Sequence, residues 1–348
     1  MLRWTGCFLL VFIVGPDTSL ALTRLGWLGV GDPVTCLDAR SLSVGGVGLT
    51  SEDRGSVSIS VGISSTCEET TLGEQVNSLS MAYPTPPSLK LIVPLPSRFG
   101  FLLRTGEVFD YNYDAEKPIY DSLKEDTKIG VESVVGRGCL YAFSMGINGG
   151  VVEELRVGFQ VLVLAGRRRL EKVSQYFDPA LWGEHLREEE RFSGLAGEVY
   201  GALKIGESER VSCSYLSPQD LGIISYPSLQ SLELLHLFSR EGGPSLVLNL
   251  QRRDWSKTDE GFLNTLSLSL GSELWMKQGF PFRLSVVSEP WYGSKAIEKM
   301  SIGLGTGFSV SRAWLDLGMR IGSCSYRVGS EEINEVQVRF LTTSAYLP

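Results

Sequence analysis

Apolar and polar residues alternate along this chain in short, recurring runs. Between Trp314 and Gly322, the residues Leu315, Leu317, Met319 and Ile321 oppose Trp314, Asp316, Gly318, Arg320 and Gly322. A side-chain period of two belongs to the extended chain, so this stretch predicts a strand with two unlike faces. The same pattern sets Val57, Ile59, Val61 and Ile63 against Ser56, Ser58, Ser60 and Gly62, and Tyr141, Phe143, Met145 and Ile147 against Ala142, Ser144, Gly146 and Asn148. It returns in Leu246, Leu248 and Leu250, in Leu266, Leu268 and Leu270, in Ile302, Leu304 and Phe308, and in Val336, Val338 and Phe340. Roughly thirteen to sixteen such segments are present, close to the length that a tilted membrane strand requires. Few stretches fit a helix. The chief one is Pro179 to Arg191, after the capping-like pair Asp178-Pro179, and it reads as a charged loop excursion.

The connections carry a second pattern. From Gly166 onward, long ones (Arg167 to Ser193, Ser217 to Tyr226, Arg252 to Phe262, Glu289 to Glu298, Ser323 to Ile333) alternate with shorter ones (Gly206 to Glu209, Ser239 to Gly243, Ser272 to Gly279, Ser311). A membrane barrel has short turns at one end and long loops at the other, whereas a soluble sandwich has no reason to keep such an order.

The polar face is rich in Gly and Ser, where a sandwich would carry Thr, Lys, Glu and Arg. Glycine weakens a strand unless another segment must approach closely, so Gly303, Gly305 and Gly307 on one face predict a narrow interior packed by other parts of the chain. Leu315, Leu317, Met319 and Ile321 then face lipid, and Asp316 and Arg320 face the lumen among charges of neighbouring strands. Trp255, Trp275, Trp291, Tyr292, Trp314 and Tyr346 lie near strand ends, as an interfacial girdle requires.

Composition narrows the partners. The 348 residues carry a net charge of −8, which leaves no basic footprint for nucleic acid. One positive charge, the apolar run Cys7 to Val14 and the small residues Ser19-Leu20-Ala21 form an export signal in order, and the run is too short to span a bilayer. Cysteines at 7, 36, 67, 139, 213 and 324 lack the paired spacing of a disulfide framework or zinc site, although a pair such as Cys36 with Cys67 stays open. His185 and His236 are the only histidines, and no nucleophile elbow, phosphate loop or zinc motif is present, so neither an enzyme nor a cofactor is expected. Asp110, Asp114 and Glu116 read as a solvated acidic loop. Arg167-Arg168-Arg169 reads as an anchor to lipid or lipopolysaccharide headgroups.

The run Arg40-Ser-Leu-Ser-Val-Gly-Gly-Val-Gly-Leu followed by Ser51-Glu52-Asp53 resembles the glycine-rich start of the outer-membrane long-chain fatty-acid transporter family, a broad group that includes barrels of type IX secretion. Arg253-Asp254-Trp255-Ser256-Lys257, Leu268 to Leu274, Ser301 to Phe308 and Trp314 to Gly318 resemble the late hairpins of such barrels. The chain departs from these relatives in continuing Gly55-Ser-Val-Ser-Ile without their Asn-Pro-Ala-Gly-Leu, and in ending Tyr346-Leu347-Pro348 where many end on the aromatic residue read by the barrel-assembly machinery.

The expectation is an all-β chain: a signal peptide (1–21), a glycine-rich N-terminal segment (22–55) that plugs the lumen as a hatch, and an antiparallel transmembrane barrel of about 14 strands (56–348) in the bacterial outer membrane. The resemblance implies uptake or passage of hydrophobic small molecules, with Asp53, Arg54, Asp316 and Arg320 as lumenal polar contacts and Gly45, Gly46 and Gly48 as hatch glycines. The alternatives are a structural or secretion-associated barrel and a soluble exported β-sandwich.

Overall fold

A computed structural model describes residues 32–33, 38–44 and 56–346, except 73–74, 96–97, 122–123, 222–224, 239–243, 256–257, 259–261, 277–278, 293, 295–296, 312 and 329–330. A short strand, β1 (Asp32–Pro33), and a one-and-a-half-turn helix, α1 (Ala39–Val44), come first. Then follow β2 (Ser56–Leu72), β3 (Gln75–Pro94), β4 (Phe99–Asp110), β5 (Tyr113–Asp121), β6 (Lys124–Gly150), β7 (Leu155–Tyr176), β8 (His185–Ile205) and β9 (Glu209–Leu216). Two-residue strands β10 (Gln219–Asp220) and β11 (Ser225–Tyr226) interrupt the next connection. The sheet ends with β12 (Ser228–Leu237), β13 (Ser245–Asp254), β14 (Thr265–Trp275), β15 (Pro281–Pro290), β16 (Glu298–Val310), β17 (Ala313–Val328) and β18 (Glu331–Tyr346).

Neighbouring long strands pair antiparallel, and β18 returns to pair with β2 from Tyr346 opposite Val57 to Glu332 opposite Thr71, which closes a barrel. Because β4 and β5 lie end to end along β6, the wall has 14 staves among the described residues. This is the expected barrel and not the sandwich. Two-residue periodicity fixes its register: Leu248 opposes Leu270, Leu250 opposes Leu268, Ile302 opposes Ile321 and Leu304 opposes Met319. Leu266, Leu268, Leu270, Val161 and Ile302 are exposed, whereas Ser267, Ser269, Asn249, Gln251 and Asp316 are buried. A slip of one residue would exchange these faces throughout. An outer wall of exposed Leu, Ile, Val and Phe is satisfied only by lipid, so the barrel spans a membrane.

Both ends of the barrel chain, Ser56 and Tyr346, lie at the end that carries the short connections, Leu95–Arg98, Val151–Glu154, Gly206–Ser208 and the turn at Ser311. At the other end lie the longer loops 177–184, 217–227, 255–264 and 291–297. The structure corrects the sequence reading here. Most of Arg167 to Ser193 and of Ser323 to Ile333, read as loops, is strand: residues 167–176 and 185–193 extend β7 and β8, and residues 323–328 and 331–333 belong to β17 and β18, while Pro179 to Arg191 is not helical. Cross-strand charge explains the former region: Arg168 of β7 meets Glu190 of β8 at 2.7 Å, and Glu171 of β7 meets His185 of β8 at 3.2 Å while also holding Arg169 of its own strand at 2.6 Å. Asp178-Pro179 starts a tight turn in which the Asp178 carboxylate accepts the Ala180 N–H at 2.9 Å.

The glycine face also has its reason. α1 lies on the inner wall against β14 to β18, and a Cβ at Gly271, Gly303, Gly305 or Gly318 would collide with α1 at Val44, Leu42, Ser43 or Ala39 respectively. The Ala39 N–H donates to Thr343 Oγ1 at 2.8 Å, Arg40 pairs with Glu273 at 3.1 Å, and Arg320 donates to the Leu42 carbonyl at 3.2 Å.

Candidate functional site: an apolar lumenal cluster beside an interrupted wall

β3 pairs with β2 along almost its whole length, yet on its other edge only Leu89 to Pro94 pair with β4, at Thr105 to Gly100. Residues 75–88 of β3 therefore face 106–121 of β4 and β5 without a hydrogen-bonded ladder. Local chemistry accounts for both sides of this interruption. β3 carries Pro84, Pro86 and Pro87, which have no N–H to give, and a register shift opposite them on β2 lies between Ser60 and Gly62. On the other side, the chain breaks between β4 and β5 at Tyr111 and Asn112. Asp110 Oδ1 accepts the Asn112 N–H at 2.9 Å and its side-chain amide at 2.7 Å, and Asn112 Oδ1 accepts the Gly138 N–H at 2.8 Å. The Tyr111 N–H donates to the Gly138 carbonyl at 3.1 Å. Gly138 has φ +129°, and a Cβ there would strike the Arg167 carbonyl.

Inside this break, side chains replace backbone pairing. Met81 of β3, Tyr113 of β5 and Val134 of β6 form one buried group, with Leu79 and Leu170 against it. A larger lumenal cluster combines Phe109 and Tyr111 at the break, Leu140, Leu162, Leu164 and Phe192 of the adjoining wall, Leu216 of β9, and Leu221, Tyr226, Trp255 and Tyr292 from the loop end. Its aromatic rings are in mutual contact: Trp255 stacks on Tyr292 at 4.0 Å, Phe109 lies 4.2 Å from Tyr226, Tyr111 lies 5.6 Å from Phe192, and the Tyr111 and Tyr226 hydroxyls bond each other. The connection after β9 supplies part of it by folding in against β8, where Asp220 pairs with Leu195 and Ser217 donates to the Gly197 carbonyl at 2.8 Å.

Beneath the cluster lies a cavity of about 120 Å³. Val108, Phe109, Leu162, Leu216 and Leu229 give it apolar lining, and Arg104, Glu107, Gln160, Glu198, Gln251 and Arg253 give it polar lining, with Gln160 bonded to Glu198.

Of the residues singled out in the sequence, Asp316 and Arg320 are lumenal and lie far along the wall from this cavity, beside α1. Asp316 accepts from Arg283 at 2.5 Å, and Arg283 also donates to Glu273 at 2.6 Å. Asp53, Arg54, Gly45, Gly46 and Gly48 lie outside the described residues. Asp110 is buried at the break and not in a solvated loop. Trp255 and Tyr292, expected in a girdle, are lumenal instead, 1% and 3% exposed. Trp275 and Trp314 share the inner face with Glu273 and Asp316, their rings 5.8 Å apart. The break itself was missed, although three prolines within four residues of a strand-like run were a readable signal for an unpaired edge.

No protein-family model and no curated protein sequence matches this chain. Solved structures do. A FadL homologue from Pseudomonas aeruginosa superposes with a TM-score of 0.65 at 11% identity, covering 91% of this chain and 99% of that one. The toluene transporter TodX of Pseudomonas putida gives 0.63 at 11% identity over 94% and 95% of the two chains. The toluene transporter TbuX of Ralstonia pickettii gives 0.60 at 11% identity over 96% of each. At the level of the fold, this chain is similar to the FadL-type outer-membrane transporter barrels, as the resemblance in its sequence implied.

Proposed function

We propose that the protein is an outer-membrane channel that carries small hydrophobic molecules from its loop end into the membrane through the interrupted wall. The single observation that carries this reading is that the aromatic cluster and the cavity share Phe109, on the stretch of β4 that β3 leaves without backbone pairing. A continuous polar pore would instead have wetted the lumen from end to end. The size of the cavity favours a small cargo: an apolar cavity on the order of 150 Å³ holds benzene, and about 120 Å³ suits a single ring. That two of the structural neighbours are toluene transporters supports the same class.

On this reading residues 22–55, through α1, plug the lumen so that water does not follow the cargo, residues 1–21 direct export, and Asp316 and Arg320 hold the plug. Asp53, Arg54 and the glycines at 45, 46 and 48 belong to the same plug. Lipid surrounds the barrel, the assembly machinery inserts it, and it performs no chemistry on the cargo. A purely structural barrel would have no use for an apolar cluster opening on a broken wall.

Trp255 reports on the site, because an incoming ring must disturb its stack with Tyr292. Titration with toluene should change tryptophan emission saturably, Trp255→Phe should abolish that change, and palmitate should not reproduce it. Met81→Lys should cut toluene uptake by cells while leaving the titration intact, since it charges the exit and not the cluster. Uptake unaffected by Met81→Lys would remove the lateral route.

A further inference from the structure

Above the apolar band, the outer face of β6, β7 and β8 changes character within one step of the alternation. On β7 the outward residues Val157, Phe159, Val161 and Val163 give way, past Ala165, to Arg167 and Arg169. On β6, Phe143 and Tyr141 give way to Cys139 and Arg137; on β8, Leu195 and Ser193 give way to Arg191 and, above it, Glu189 and Arg187. Register places like charges together: Arg137 is directly opposite Arg169, and Arg167 directly opposite Arg191. Directly opposed like charges destabilise a sheet. Counter-charges on this face cover part of the excess, Glu171 at 2.6 Å from Arg169 and Glu189 at 3.6 Å from Arg191. On these three strands five outward arginines stand against two glutamates, with the β5 positions of Asp114 and Glu116 on the same face beyond them, in a chain whose net charge is −8.

We infer that this face binds the phosphorylated headgroup of an outer-leaflet glycolipid of the lipid A type. Two directly opposed arginine pairs on strands about 4.8 Å apart bring four guanidinium groups onto one face. Arg137 is among them although it also donates to the Gly136 carbonyl at 2.9 Å, and guanidinium is the group that holds phosphate best. The anion belongs to a lipid because the same face runs without a break into the exposed valines and leucines on which acyl chains would lie. The arginines are separated along β7 by one alternation, which suits two phosphates on one disaccharide better than a single one. The assignment rests on the proposed placement of the loop end outside the cell.

The test is native mass spectrometry of the full barrel in detergent with bisphosphorylated lipid A, monophosphorylated lipid A, phosphatidylglycerol and inorganic phosphate. Bisphosphorylated lipid A should bind most tightly, and Arg167→Gln/Arg191→Gln should weaken it at least tenfold. The toluene titration of Trp255 in that variant shows that the barrel remains folded, and Arg167→Lys/Arg191→Lys should recover only part of the affinity because lysine loses the bidentate donors. Equal lipid A occupancy in the glutamine variant, or displacement of lipid A by equimolar inorganic phosphate, would overturn the site. Labelling of Trp182→Cys, at the exposed tip of the β7–β8 hairpin, by a membrane-impermeant maleimide on intact cells checks the orientation separately; tip labelling absent while cluster titration persists would overturn the outer-leaflet assignment alone.

Discussion

Replacing Arg283 by Met should be among the most destabilising single changes in the lumen. Its side chain is 1% exposed, and its guanidinium donates to Glu273 at 2.6 Å, Asp316 at 2.5 Å and the Thr306 carbonyl at 3.2 Å. Methionine fills much of the same volume, so the loss is electrostatic and not a cavity. Removing one member of a buried ion pair costs about 3–5 kcal/mol, because the other charge is left buried without compensation. The two carboxylates do not share that cost equally. Glu273 keeps Arg40 at 3.1 Å and the Trp275 indole N–H at 3.1 Å, whereas among the described residues Asp316 is reached across the strands by Arg283 alone. Arg283→Met/Asp316→Asn should therefore recover roughly 2–3 kcal/mol, and Arg283→Met/Glu273→Gln much less. Urea unfolding in short-chain phosphatidylcholine vesicles, followed by tryptophan emission and by the temperature of the boiling-dependent gel shift, measures all three. A single mutant within about 1 kcal/mol of the parent, or two double mutants of equal stability, would refute this distribution of charge.

Gly318→Val places methyl groups where the Ala39 carbonyl sits, so α1 should leave the inner wall. Accelerated proteolysis near Arg40 with an unchanged barrel gel shift is the expected result. Asn112→Leu removes the acceptor of the Gly138 N–H and the partner of Asp110 at a buried site, which should cost about 1–3 kcal/mol in the same urea assay. Gly138→Ala should cost at least as much, since its φ of +129° and the Arg167 carbonyl both exclude a side chain.

The barrel was legible because a membrane wall repeats one rule along every strand. Leu266, Leu268 and Leu270 alternate with Thr265, Ser267 and Ser269 for the same reason that Ile302 alternates with Ser301, and two-faced strands with glycine inside leave few other folds. The glycines were also read for what they do, although which segment they receive needed the fold. Illegible were features decided by contacts remote in sequence. Trp255 and Tyr292 sit beside strand ends like girdle residues, and only the inward course of their loops distinguishes the two fates. The ribbon from Arg167 to Tyr176 has a loop's composition, and its strand character depends on Glu190, Glu188 and Arg187 lying opposite. The cavity draws Arg104, Gln160, Glu198 and Arg253 from four strands, with no local motif to announce it.

An interrupted wall in a bilayer raises a problem of hydrogen-bond accounting, since each backbone group left without a partner in hydrocarbon costs several kcal/mol. This chain reduces the number of such groups in two ways. β1 pairs its Asp32 and Pro33 with Asp110 and Phe109, covering part of the β4 edge that β3 abandons. On β3, successive N–H groups of an extended chain point to opposite edges, so the adjacent Pro86 and Pro87 remove a donor from each. The prolines thus keep the gap unpaired and also limit its cost. Pro86→Val/Pro87→Val should reverse both effects: the restored donor on the β4 side seeks a partner across the gap, the β3–β4 ladder lengthens beyond Leu89, and the exit narrows. Amide exchange at whichever of positions 86 and 87 faces the gap should be slow in the variant, the barrel should remain as heat-resistant as the parent, and toluene uptake should fall severalfold. A protected amide with undiminished uptake would show that the cargo leaves the barrel by another route.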